Sequence, residues 1–107
     1  MSKLKSEVIH LSDRDITVTE ATLRMDMERV RRLVDEWEPE TDPNLKTYRY
    51  GYAHLAAVTK DAPTFDEYLD MSLQDAEKWF NTVSALNPSF FPGSNPTTGA
   101  EKPPQQP

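Results

Sequence analysis

The chain has 107 residues, 18 acidic against 12 basic side chains for a formal net charge of −6, nine prolines and no cysteine. The surplus of acid works against nucleic acid or an anionic membrane as partner, because affinity for phosphate rests on clustered Lys and Arg. Missing thiols exclude a disulfide scaffold, a thiolate nucleophile and a Cys-based zinc site.

Glu7 to Val18 holds two β-prone stretches, Val8 to Leu11 and Ile16 to Val18, around the polar Ser12-Asp13-Arg14-Asp15. This predicts a small N-terminal hairpin whose Val8, Ile9, Ile16 and Val18 lean on helices, since a two-stranded hairpin is marginal alone. Thr19 and Glu20 open the next element, in which Leu23, Met27, Val30, Val34 and Trp37 recur at 4,3,4,3 spacing. That is an amphipathic helix, short for a free-standing coiled coil and expected to pack its stripe into a helical domain. Pro39 and Pro43 bracket a turn over Glu38 to Asn44.

A second amphipathic segment carries Leu45, Tyr48, Tyr52, Leu55 and Thr59, with Ala53, Ala56 and Ala57 offering a flat side for another helix. Thr64 with Glu67, and then Ser72 with Asp75, read as two helix starts of the capping-box kind. After the second, Leu73, Ala76, Phe80 and Val83 form a stripe widened by Trp79 and Leu86, until Asn87-Pro88 stops the helix. Pro92 to Pro107 contains five of the nine prolines and two of the three glycines and no large apolar residue. Nothing there offsets ordering entropy, so a disordered tail is expected. The fold class is therefore mainly α: one domain over residues 1–91, of three to four helices with an N-terminal hairpin, followed by the tail at 92–107.

No catalytic or cofactor constellation is legible. His10 and His54 stand 44 positions apart with no second ligand at a recognisable offset, and both read as surface or half-buried side chains. Arg24, Arg29, Arg31 and Arg32 suggest a basic patch, but Glu28 to Arg32, Arg31 to Asp35 and Arg32 to Glu36 are i,i+4 pairs that neutralise it. The aromatic load is heavy for a small core. Trp37, Tyr50, Phe90 and Phe91 are the candidates for a surface that grips another protein, with the alternative that Phe90 and Phe91 fold back to seal the core.

The phrase Phe65-Asp66-Glu67-Tyr68-Leu69, the helix start Asp75-Ala76-Glu77-Lys78-Trp79 and the ending Leu86-Asn87-Pro88 with aromatics after it, preceded by a helix ending in Trp37, resemble the tail assembly chaperones of long-tailed bacteriophages. The resemblance implies a protein of the host cell cytoplasm that binds the tape measure protein, helps recruit tail tube protein, and is absent from the finished virion. It also implies a longer form made by ribosomal frameshifting, for which 92–107 stands where the extension would depart and resembles a tether, so that this chain would correspond to the short form. Self-association is compatible with the same reading. The competing readings are a small head-tail or tail-completion protein retained in the virion, and a DNA-binding regulator using the arginine-rich helix.

Overall fold

A computed structural model describes residues 4–91. The expected tail at 92–107 lies outside them. The described part is mainly helical, with four α-helices and a three-stranded antiparallel sheet. Strands β1 (Ser6–His10) and β2 (Asp15–Thr19) pair antiparallel with Ile9 opposite Ile16 and Val8 opposite Thr17. The N-terminal strands are not a self-contained hairpin: β3 (Thr59–Lys60) adds to the free edge of β2, pairing Val18 with Thr59. Strand alternation sends Ile9, Ile16 and Val18 to the core and Val8 to the opposite face. Val8 is 53% exposed, which corrects its expected place against the helices.

Helix α1 (Leu23–Arg32) starts later than the sequence suggests, because Thr19 is consumed by β2. Thr22 is the N-cap, its hydroxyl accepting from the Met25 amide at 3.1 Å. The helix runs on into a π turn, Leu33–Trp37, closed by the Glu38 amide donating to the Leu33 carbonyl. Helix α2 (Pro43–Ala57) begins at Pro43 itself, with Asp42 accepting from the Asn44 and Leu45 amides. Proline at the first helical position lacks only an amide that would have been unpaired, so Pro43 starts the helix and does not end the linker.

Thr64 caps α3 (Phe65–Leu69) in a complete capping box, with Glu67 reaching back to the Thr64 amide. Ser72 caps α4 (Leu73–Leu86), but the box there is half built. The Asp75 carboxylate turns away and accepts from the Ser12 amide at 3.0 Å, tying α4 to the β1–β2 connection. That bond holds the Asp75 carboxyl below the usual carboxylate range.

The core collects Ile9, Leu11, Ile16 and Val18 from the sheet side, Tyr52, Leu55 and Val58 from α2 and its end, and Trp79 and Val83 from α4. Trp79 is fully buried, with its indole N–H satisfied by Thr59 Oγ1 at 2.8 Å. Tyr52 donates to the Pro63 carbonyl at 2.7 Å. Two positions read as core lie outside it. Leu73, at the first position of α4, is 86% exposed, and Tyr48, nearly a turn into α2 from Leu45, is 51% exposed. Leu73 stands in the first turn of α4, directly after the Ser72 cap, and Tyr48 lines an open hollow with Tyr68, Leu69 and Ala76. Asn87 does more than stop α4. It is buried, accepts from the Ala21 amide at 2.7 Å and donates to the Thr19 carbonyl at 3.0 Å, clamping the β2–α1 junction to the end of α4.

Candidate interaction surface

The four aromatic residues singled out from sequence fall in one file of rings. Trp37 meets Tyr50 edge-on at 5.3 Å between centroids, and Tyr50 lies 4.6 Å from the ring of His54. His54 in turn lies 5.8 Å from Phe90 and 5.0 Å from Phe91, which continues to Phe80 at 4.7 Å. The two ends of the file differ. Phe90 is 8% exposed, seated in a 3₁₀ turn (Pro88–Phe90) under the Arg29 guanidinium at 4.9 Å. It seals the core and is not partner-facing. Phe91 is half-buried on His54 and Phe80. Tyr50 is 43% exposed, and with Trp37, Pro43, Lys46 and Thr47 it lines a shallow, open, mostly apolar hollow. The Lys46 ammonium stands 4.8 Å from the Trp37 ring while donating to the Glu38 carbonyl at 3.1 Å, so the hollow has a fixed cationic edge.

His54 links the file and is buried, not superficial, at 1% exposure. The Tyr50 carbonyl 2.8 Å from Nδ1 can only accept, so Nδ1 carries the proton and Nε2 accepts from Arg29 Nη1 at 3.2 Å. Burial lowers the His54 pKa, and the facing guanidinium adds to this. The ring is thus a neutral structural element. Its burial was missed because it stands off the apolar stripe of α2, and what covers it there is Arg29 of α1 with the returning Phe90 and Phe91, all distant in sequence.

Helix α1 carries the largest departure from expectation. Leu23, Met27, Val30 and Val34 were to be its packed stripe; they are 87%, 71%, 46% and 50% exposed. The positions turned inward are Met25, Arg29 and Arg32, which lie about 200° around the helix from that stripe. Arginine can face the domain because each guanidinium is neutralised and stacked. Arg29 bonds Asp26 at 2.7 Å and covers Phe90. Arg32 lies 3.0 Å from Glu28, 3.8 Å from Glu36 and 5.6 Å from the Tyr52 ring. Arg31, outside, pairs with Glu28 at 2.6 Å and Asp35 at 3.0 Å. The i,i+4 pairs read from sequence are all present. They mark a lid of ion pairs and cation–π contacts on one side of α1, with the apolar side left over. The π turn then brings Trp37 back against α2.

Comparison with protein-family models, curated proteins and solved structures finds no match to the chain. Among the described residues, no group of three or more His, Cys, Asp or Glu side chains is arranged to hold a metal ion, and no helix is long and apolar enough to cross a membrane.

Proposed function

We propose that this protein is a tail assembly chaperone of a long-tailed phage, which holds the tape measure protein and helps bring tail tube protein to it in the host cytoplasm. The observation that carries the reading is the open hollow of Trp37, Pro43, Lys46, Thr47 and Tyr50, where aromatic rings stand half out of the domain. Rigid aromatic side chains at the surface are the usual anchors of protein–protein contacts. The sequence likeness at Phe65 to Leu69 and Asp75 to Trp79 points the same way, and the acid surplus would keep a complex with an apolar partner in solution.

Capture of the cognate tape measure protein by immobilised chain tests this. Trp37→Ala and Tyr50→Ala should each weaken capture about tenfold, the equivalent of ~1.4 kcal/mol. Undiminished capture by both removes the hollow from the site. Mass spectrometry of purified particles should find the protein missing, and a fixed copy number per particle would favour a retained head-tail or tail-completion component. Phe90 is unsuited to such a test, since its removal opens the core.

A further inference from the structure

A second surface, separate from the hollow, is the outward stripe of α1. An amphipathic helix normally buries its apolar side; this one buries the opposite side and exposes Leu23, Met27 and Val30 together with Val34 of the following π turn. The patch is on the order of 500 Å², the size of the largest apolar patch on an ordinary monomer, which is often functional. We propose that two copies of this chain associate through these stripes, with the two α1 helices side by side and parallel.

Three features specify a second copy. The 4,3,4,3 spacing is that of a coiled-coil seam, with Met27 and Val34 in the a positions and Leu23 and Val30 in the d positions, so the stripe is complementary to itself. The two flanks of the stripe differ in charge: Arg24 and Arg31 occupy the e positions, and Asp26 and Leu33 the g positions. In a parallel pair each g residue faces the e residue five positions on in the other helix, which sets Asp26 of each copy against Arg31 of the other. An antiparallel pair aligns the e flanks instead and sets Arg24 of each copy against Arg31 of the other. Both side chains are available, at 45% exposure for Asp26 and 49% for Arg31, although each keeps an intrahelical partner. Finally, the rest of each domain lies on the far side of its α1, so it does not obstruct the approach.

The buried area per copy falls short of the ~800 Å² per partner of a standard stable interface, so the dimer is weak and reversible. The inference does not depend on the proposed function. Sedimentation equilibrium of the full chain over roughly 10 µM to 1 mM, where small interfaces dissociate, should show a mean mass climbing from one chain toward two. Met27→Lys should weaken this at least tenfold while leaving thermal melting unchanged, because Met27 is exposed. Orientation is read with Leu23→Cys in this cysteine-free chain. A parallel pair sets the two positions 23 together, whereas an antiparallel pair separates them by about 16 Å, beyond disulfide reach. Under mild oxidation, Leu23→Cys should therefore cross-link much faster than Leu73→Cys, an equally exposed position on α4. A single-chain mass at every concentration overturns the proposal, as does a dimer indifferent to Met27→Lys. Cross-linking of Leu23→Cys no faster than Leu73→Cys overturns the parallel arrangement. Loss of tape measure capture on Met27→Lys in a chain that never dimerises would assign the stripe to that partner instead.

Discussion

Phe90→Ala separates a core role from a docking role for the C-terminal aromatics. Phe90 is 8% exposed, so folding removes most of an aromatic side chain, about 150–250 Å², from water. At ~25 cal/mol per Å² that burial is worth roughly 4–6 kcal/mol as an upper bound, and alanine keeps a small part of it. Phe90 sits in a three-residue 3₁₀ turn and not inside a long helix or strand, so its neighbours can relax, which points to the low end of the usual Phe→Ala range: a loss of about 3 kcal/mol, including the Arg29 stacking. For a domain of this size that lowers the melting temperature by roughly 12–20 °C. Thermal melting followed by far-UV circular dichroism, with Tyr50→Ala as the exposed control, measures it. The control should move only a few degrees. A Phe90→Ala protein melting within a few degrees of the original would refute the placement of Phe90 in the core.

Substitutions at two further positions test the polar framework. His54 is neutral in the fold with a pKa below its ordinary 6.5, so the unfolded chain binds the extra proton first. Its contribution is complete above about pH 6.5 and is lost as the pH falls toward the depressed folded value; His54→Gln should flatten the stability profile just below pH 6.5 in urea titrations, and identical profiles would count against the burial of a neutral His54. Asn87→Ala should cost about 2–3 kcal/mol by leaving the Ala21 amide and the Thr19 carbonyl without partners. Asn87→Asp should also destabilise, since it retains the acceptor but sets a second acceptor against the Thr19 carbonyl. A neutral effect of both in chemical denaturation would show that water substitutes at this junction.

The elements whose cause is local were legible. Thr64 and Glu67, Asn87-Pro88 and the alternation of Ile16 and Val18 each act through neighbours in sequence, and each does what the pattern says. The α1 stripe failed for a non-local reason. Periodicity identifies which side of a helix is apolar but not which side the domain covers, and here Arg29 and Arg32 reach Phe90, His54 and Tyr52, aromatic partners supplied by α2 and the turn after α4. The signal was present in part, since acids at positions 26, 28 and 36 are spaced to neutralise those arginines before burial. Asp75 misled in the same manner: its spacing from Ser72 announces a capping box, yet its carboxylate is taken by Ser12, 63 positions away. Of the four candidate aromatics, the ring file joins all through His54, a residue whose sequence context gave no reason to place it there.

The outward-facing apolar side of α1 is tested most directly by methionine oxidation, because Met25 and Met27 lie two positions apart on opposite sides of the same helix. Met27 is 71% exposed, whereas Met25 packs against the core. Brief treatment of dilute native protein with peroxide, followed by peptide mass spectrometry, should convert Met27 to the sulfoxide several-fold faster than Met25, with the difference abolished in urea. Equal rates in the native protein, or Met25 reacting first, would mean that α1 packs with its apolar stripe inward.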